Sequence, residues 1–227
     1  MYDSILNNWL EIDQLCPLCD ITPRTALGIC EPCTGDLPYQ QLGCTVCALP
    51  GVKGVCQACQ RAKPSFSCIH AGFTYRFPLP QLLHRIKSGG DPEPLHWLAK
   101  LLARQLRNRL PPELPLIPVP MHPIDQLIRG FNQSELLARH LARALHRPAP
   151  IHLIEKRVRT PHQAQLNRAQ RKLNLHQSFS LNATPPERLI LVDDVVTTGT
   201  TVSRISDMLL RCGAREIYVC TLCRTPD

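Results

Sequence analysis

The chain has 227 residues, of which 44% are hydrophobic and 19% are charged, so it can form one or two domains and is too apolar to be a disordered protein. No run approaches the roughly 18 consecutive apolar residues that a membrane-spanning helix needs. The first residues lack the basic, apolar and small-residue sections of a signal peptide, which predicts a cytoplasmic protein.

Charge and cysteine are distributed unevenly along the chain. Residues 1–70 carry a net charge of −2 and nine of the twelve cysteines, whereas residues 71–227 carry a net charge of +10. This contrast predicts a cysteine-rich module over residues 1–65 and a second domain over residues 66–227. Basic residues concentrate in residues 129–172, which suits a phosphate-rich partner, although a solvated, solubilising surface explains such a cluster equally well.

The cysteine-rich module contains four Cys-x2-Cys pairs within 44 residues, formed by Cys16, Cys19, Cys30, Cys33, Cys44, Cys47, Cys56 and Cys59. Two such pairs complete a tetrahedral four-cysteine site, so the pattern predicts two structural zinc ions in a double zinc ribbon. The short gaps favour sequential pairing over an interleaved, RING-like arrangement. Disulfides are the weaker alternative, because the cytosol keeps thiols reduced.

Three elements are predicted between this module and the basic cluster. Residues 84–91 form a basic turn that ends in glycines and is a candidate for a mobile second wall of a ligand site. Residues 95–110 have leucines on one face and predict an amphipathic helix that packs on a sheet. Residues 114–119 predict a short strand, and Ser134 is expected to cap the helix that begins shortly afterwards.

The strongest functional pattern begins at Leu189–Val192, a continuous apolar run that predicts a strand buried on both faces of a parallel sheet. Asp193 and Asp194 follow at its carboxyl end, where open α/β sheets bind ligands. The loop Thr197–Thr201 then leads into a helical pattern. A loop that opens a helix offers unpaired N–H groups and the positive end of the helix dipole to a phosphate.

The residue types of this segment agree with a sugar phosphate. Gly199 allows the backbone to approach a phosphate closely, and the threonine hydroxyls add donors. Asp193 and Asp194 repel phosphate but accept hydrogen bonds from sugar hydroxyls. The segment therefore predicts a ribose 5-phosphate site.

Residues 192–201 resemble the phosphoribosyl pyrophosphate (PRPP) motif of type I phosphoribosyltransferases. The resemblance implies an α/β fold, a parallel sheet flanked by helices, preceded here by the small zinc-ribbon module. It also implies that Asp193 and Asp194 bind the ribose hydroxyls. The loop that would surround the 5′-phosphate consists of Val196, Thr197, Thr198, Gly199, Thr200 and Thr201.

Residues 118–123, 129–138 and 159–163, together with the cysteine-rich module, resemble the ComF family of competence-associated proteins. The resemblance covers essentially the whole chain, with one small departure at Met121-His122. It implies a pyrophosphate loop that contains Arg129, Gly130, Asn132 and Gln133, although a surface role for Arg129 stays open. It also implies a flexible loop that closes over PRPP, with candidate residues Arg159, Thr160, Gln163 and Arg171; a plain solvated loop is the alternative.

The ComF resemblance implies a role in natural transformation, or in the uptake or use of DNA. One hypothesis is a Mg²⁺-dependent phosphoribosyltransferase whose acceptor stays open, because the sequence has neither a nucleobase-hood signature nor an N-terminal cysteine nucleophile. The other is a non-catalytic, PRPP-sensing protein that binds single-stranded DNA and works with a helicase or processing factor of DNA uptake. A pure zinc-ribbon adapter would leave the residues from Asp193 to Thr201 unexplained.

Overall fold

The computed structural model describes residues 14–159 and 178–226. The chain forms two compact units, with the boundary between Leu37 and Pro38. The boundary predicted from the sequence lies between residues 65 and 66, so the two divisions differ in where they put the second group of cysteines. Across the two described ranges, no helix has the length and apolar character needed to cross a lipid bilayer.

The first unit is small, and few side chains are buried in its described part, residues 14–37. Its backbone forms a bridge between Leu15 and Pro23, and helix α1 (Glu31–Gly35) follows. In its described part, the buried apolar side chains are Cys16, Ile29, Cys30 and Leu37. Hydrophobic burial among residues 14–37 is small, so a metal ion held by the four cysteines would add substantially to the stability of this part of the chain.

The second unit is built on a parallel sheet with the strand order β1-β6-β5-β2. These strands are β1 (Cys68–Thr74), β2 (Leu116–Pro118), β5 (Arg188–Val196) and β6 (Glu216–Arg224). Ile190 in β5 lies opposite Tyr218 on one side and Leu116 on the other, so β5 is an interior strand. A separate antiparallel pair consists of β3 (Ile154–Lys156) and β4 (Phe179–Leu181).

Helices pack on both faces of the four-stranded sheet. The helices of this unit are α2 (Gln57–Arg61), α3 (Leu79–Ser88), α4 (Glu93–Leu106), α5 (Pro123–Arg129), α6 (Gln133–Ala144) and α7 (Thr200–Arg211). On one face, Ile205 and Leu209 of α7 pack with Leu189 and Leu191 of β5. Side chains alternate along a strand, so Ile190 points to the other face, where α4 packs against α6. The predicted α/β class is confirmed.

The predicted elements lie close to their expected positions. The helix predicted over residues 95–110 corresponds to α4, and the strand predicted over residues 114–119 corresponds to the shorter β2. The strand that contains the apolar run extends beyond it through Asp193 and Asp194 to Val196, so β5 contains both acids. Gly72 allows α4 to lie close to β1, since a Cβ there would come within 2.7 Å of the Leu102 side chain.

Candidate functional site

Asp193 and Asp194 lie near the carboxyl end of the interior strand β5. Both residues are nearly buried, with exposed fractions of 8% and 9%. The Ser134 hydroxyl donates a hydrogen bond to Asp193 Oδ1 over 3.0 Å, and Lys87 Nζ lies 2.6 Å from Asp194 Oδ2. The two acids therefore have different partners, one from the start of α6 and one from the end of α3.

The electrostatics of the pair disfavour two full negative charges. Burial, and secondly the charge of Asp194, raise the pKa of Asp193 to about 7, although the Ser134 hydroxyl and the positive charge of Lys87 oppose this rise. Near neutral pH the free site therefore holds a mixture of ionised and protonated Asp193. A ligand that donates hydrogen bonds to both carboxylates would favour the ionised form.

The loop Thr197–Thr201 connects β5 to α7. Gly199 is the N-cap of the helix and has a φ of +77°, a left-handed conformation that favours glycine. The hydroxyl oxygens of Thr198 and Thr200 lie 2.7 Å apart, and a hollow of about 30 Å³ is bordered by the loop and Asp193. Gly199 has no side chain with which to cap this helix, and the Thr198 hydroxyl accepts a hydrogen bond from the Thr200 N–H over 3.4 Å. The first turn of α7 borders the hollow, and the start of a helix favours an anion.

Val196, which was predicted to belong to the phosphate loop, has a different environment. It is the last residue of β5 and is buried in the hydrophobic core together with Val202 and Ile205. Its side chain therefore anchors the loop to the sheet. The hollow borders Val196 as well, so its backbone is the part that a phosphate could approach.

Arg224, at the end of β6, holds the phosphate loop from within the protein. The residue is only 4% exposed. Its Nη1 donates hydrogen bonds to the carbonyl oxygens of Thr197 and Thr225, and its Nε donates to the Cys47 carbonyl over 3.1 Å. One guanidinium group therefore connects the phosphate loop with the second group of cysteines.

The predicted pyrophosphate loop lies between α5 and α6. Gly130 ends α5 with a φ of +87°, which explains the glycine. Asn132 and Gln133 are buried and bond within the protein: Asn132 Oδ1 accepts from the Ser134 N–H, and Gln133 Oε1 accepts from Arg129 Nη1. Asn132 is thus the cap of α6, and the expectation that Ser134 caps this helix is wrong, because the Ser134 hydroxyl bonds to an acid of the site instead.

An open cavity of about 930 Å³ lies between the end of α3 and helix α5. Four cationic side chains border it: Lys87, Arg129, Lys156 and Arg159. Asp125 on the same wall pairs with Arg159 over 2.7 Å, and this hydrogen bond lowers the pKa of Asp125. The cavity therefore carries an excess of positive charge beside the acid pair.

Arg159 is thus placed at the cavity, as a flexible-loop residue would be. The other predicted residues of that loop lie outside the described residues, namely Thr160, Gln163 and Arg171.

The eight predicted zinc ligands form two groups. The sulfur atoms of Cys16, Cys19, Cys30 and Cys33 lie within 4.8 Å of one another, and so do those of Cys44, Cys47, Cys56 and Cys59. Tetrahedral zinc with bonds of about 2.3 Å separates its sulfur ligands by about 3.8 Å. The distances from Cys19 to Cys30 and from Cys47 to Cys56 are 3.8 and 3.6 Å. Both groups fit a metal ion, with the sequential grouping that the spacing favoured.

Within the second group, Cys44 has surroundings that favour a thiolate. The N–H groups of Val46, Cys47 and Cys56 point at Cys44 Sγ over 3.2 to 3.5 Å. Burial alone would raise the pKa of Cys44, but these donors lower it to about 6. Backbone donors of this kind favour the thiolate that a metal ion binds.

Comparison with known proteins shows which family has this sequence and fold. Residues 132–227 match the phosphoribosyl transferase domain. The DNA utilization protein YhgH of Shigella flexneri is 33% identical over 225 residues, which cover 95% of this chain and 99% of that protein. Competence protein F of Haemophilus influenzae is 34% identical over 74% of this chain and 78% of its own length. Competence protein ComFC of Streptococcus pneumoniae is 28% identical over 92% of this chain and 99% of its own. The chain belongs to the ComF family.

In this ComF-family protein, three side chains of the site were not predicted as such. Lys87 lies in the last turn of α3, so the predicted turn over residues 84–91 is wrong for residues 84–88, which are helical. The contact of Lys87 with an acid has no local signal in the sequence. The sequence indicates Ser134 only as a helix cap, and not as the hydrogen-bond donor to Asp193. Arg224 lies at the end of a strand, and nothing in the surrounding sequence distinguishes it from a surface arginine.

Proposed function

We propose that this protein binds PRPP with Mg²⁺ at the carboxyl edge of its parallel sheet. The observation that supports this most is the adjacency of three features: the buried acid pair, the loop Thr197–Thr201 and the basic cavity. Asp193 and Asp194 would accept hydrogen bonds from the ribose hydroxyls, and the loop would bind the 5′-phosphate through its N–H groups and threonine hydroxyls.

The diphosphate of PRPP would lie in the basic cavity. Arg129 and Arg159 border it and can form charge-assisted hydrogen bonds to phosphate oxygens. Gly130, Asn132 and Gln133 would act by fixing the backbone and the Arg129 side chain. Mg²⁺ prefers oxygen ligands, so it would be held mainly by the phosphates of PRPP, with the acid pair near the ribose. Flexible-loop roles for Thr160, Gln163 and Arg171 belong to the same proposal.

The chemistry that follows is phosphoribosyl transfer. The bond between ribose C1 and the diphosphate oxygen breaks, a bond from C1 to a nucleophilic acceptor forms, and diphosphate leaves. The cations of the cavity would stabilise the charge that develops on the leaving group. The residues of the site define the donor half of this reaction.

Titration calorimetry with PRPP and Mg²⁺ tests the binding site directly. Wild-type protein should bind PRPP. Asp194→Ala should lose binding, because it removes a carboxylate that accepts a hydrogen bond from a ribose hydroxyl. Glu113→Ala removes an exposed acid between α4 and β2 and should bind like wild type. Absence of binding to the wild-type protein, with both cysteine groups metal-loaded, would refute the proposal.

We further propose that the protein binds single-stranded DNA and acts in natural transformation, or in the uptake or use of DNA, in the cytoplasm. Two observations support this: the net charge of +10 over residues 71–227 and the names of the relatives, which refer to competence and DNA utilization. A helicase or processing factor of DNA uptake would be its protein partner. Only 5% of the residues are aromatic, so the binding would be mainly electrostatic.

Fluorescence anisotropy with a labelled oligonucleotide tests the DNA proposal. Affinity should fall steeply between roughly 50 and 200 mM salt, as counterion release requires. Asp194→Ala should keep DNA binding while losing PRPP, which separates the two activities. Binding that does not respond to salt, or no binding at low salt, would contradict an electrostatic DNA site.

We propose that the metal ion in each cysteine group is structural zinc. Four thiolates fill a tetrahedral shell and leave no position for a substrate. Metal analysis of the purified, reduced protein should find about two zinc ions per chain.

A further inference from the structure

We infer that Lys87 makes this site selective for ligands that carry a diphosphate, because its ammonium group moves from Asp194 to the diphosphate when the ribose binds. The inference rests on the proposed PRPP site and adds a selectivity residue to it. It starts from a contact that the acid pair makes within the free protein.

Lys87 lies in the last turn of α3 and reaches across to β5. Its Nζ lies 2.6 Å from Asp194 Oδ2, and the side chains of Lys87 and Asp194 are 36% and 12% exposed. The ammonium group therefore occupies one of the two carboxylate oxygens that a ribose hydroxyl could use. A sugar that binds to Asp194 must displace Lys87 or share the carboxylate with it.

Displacement is unfavourable unless the ammonium group finds another anion. A partly buried lysine that loses its carboxylate is left with an unpaired charge in a cavity that Arg129 also borders. Ribose 5-phosphate brings one phosphate, and the loop Thr197–Thr201 would bind it on the far side of the sugar. PRPP brings a second anionic group at C1, on the side of the cavity that Lys87 borders.

The local structure allows the side chain to move while its backbone stays fixed. Lysine has a long, flexible stem and three donors, so its ammonium group can exchange one oxygen anion for another. The turn after Lys87 is held by an ion pair of 2.6 Å between Arg85 and Asp91. Gly90 in this turn has a φ of +65°, and a Cβ there would meet no atom within 4 Å. Lys87 itself borders the open cavity, which leaves its side chain room to move.

Calorimetry with two ligands tests the inference on the full-length, metal-loaded protein. PRPP and ribose 5-phosphate, each with Mg²⁺, are titrated into wild type, Lys87→Met and Arg107→Met. Lys87→Met should weaken PRPP binding by roughly tenfold or more, the usual loss for a charge-assisted contact, and should leave ribose 5-phosphate binding unchanged or tighter. Arg107→Met removes one exposed positive charge from the end of α4 and should keep the wild-type ratio of affinities.

The ratio of the two affinities decides the outcome. If Lys87→Met weakens both ligands by the same factor, or leaves PRPP unaffected, Lys87 only supports the fold and the inference is overturned while the PRPP site stands. If wild-type protein binds neither ligand, the proposed function fails first, and this inference with it. Lys87→Gln, which keeps a polar group near Asp194, gives the same comparison should the methionine variant unfold at a lower temperature.

Discussion

The two four-cysteine groups have the same Cys-x2-Cys pattern but different surroundings. The first lies in the unit that ends at Leu37, where two of its own cysteines provide much of the buried surface. The second belongs to the unit that contains the sheet. There the Val46 carbonyl accepts a hydrogen bond from the Ile69 N–H at the start of β1, and Ala48 is part of the main hydrophobic core.

This difference gives the second metal group a connection that the first does not show in the described residues. The Cys47 carbonyl, the Arg224 guanidinium and the Thr197 carbonyl form a continuous path of hydrogen bonds. Cys47 belongs to the second cysteine group, and Thr197 begins the loop that we propose to bind phosphate. If both groups bind metal, identical motifs would serve different purposes: the first would stabilise its own short unit, and the second would also support the proposed PRPP site.

Loss of a ligand from each group is the largest expected effect and the most direct way to break this comparison. Cys16 and Cys44 are both buried and both begin their group, so Cys16→Ser and Cys44→Ser are matched. Cys44→Ser should destabilise the second unit by several kcal/mol, because zinc binding contributes to its folding, and PRPP binding should be lost. Zinc analysis, thermal unfolding and calorimetry measure the three consequences.

Cys16→Ser should also lose one zinc ion per chain, but its affinity for PRPP should stay within about twofold of wild type, because Arg224 joins the loop Thr197–Thr201 to Cys47 of the second group. Equal loss of PRPP binding in both variants would show that both cysteine groups, and not the second alone, support the proposed PRPP site.

Arg224 allows the connection to be tested with both metal groups intact. Arg224→Met keeps the buried stem but removes the donors, which leaves the carbonyls of Cys47 and Thr197 without this partner. We expect a loss of about 2–3 kcal/mol in the free energy of unfolding and a weaker affinity for PRPP at unchanged zinc content. Arg188→Met is the control, since Arg188 forms an exposed pair with Glu216 and should cost less than about 1 kcal/mol.

The sequence predicted how the eight cysteines group, and that the acid pair and the loop Thr197–Thr201 lie at the end of a parallel strand, because each of these features depends on residues that are close together in the chain. The Cys-x2-Cys spacing and the run from Leu189 to Thr201 are patterns of this kind. Arg224 and Lys87 could not be predicted in this way. Each contacts a residue far away in the chain, and the residues next to each of them in the sequence form no recognisable motif. Such contacts depend on strand order and helix packing, which a single sequence does not specify.

A change at Asp193 can show that ligand binding and stability are separate properties of the second unit. Burial and the charge of Asp194 raise its pKa from 3.8 to about 7 in the folded protein, so the folded state holds a proton that the unfolded state releases. The free energy of unfolding therefore falls as the pH rises through this window, and the loss is complete above about pH 7. Asp193→Asn removes this cost and keeps an oxygen for the Ser134 hydroxyl.

We expect Asp193→Asn to be more stable than wild type at pH 8 by on the order of 2 kcal/mol, with a smaller advantage at pH 5.5. PRPP binding should nevertheless be lost, so the variant contrasts with Cys44→Ser, in which binding and stability fall together. Chemical unfolding at both pH values, above the range in which acid removes zinc from thiolates, measures the effect. A variant that is less stable than wild type at pH 8 would mean that Asp193 is charged at no cost in the folded protein.

Two glycines, one in each unit, provide the smallest expected effect. Gly130 has a φ of +87° and Gly35 has an ordinary helical conformation, and at neither position would a Cβ meet another atom within 4 Å. Gly130→Ala should therefore cost about 1 kcal/mol through backbone strain alone, whereas Gly35→Ala should be neutral or slightly stabilising. Because Gly130 fixes the end of α5 beside Arg129, its replacement should also weaken PRPP binding at full zinc content. Unfolding and calorimetry on the two alanine variants would then show whether PRPP binding responds to a change in the loop after α5 that leaves the cysteine groups intact. A Gly130→Ala protein with wild-type stability and affinity would rule out any need for a left-handed residue at position 130.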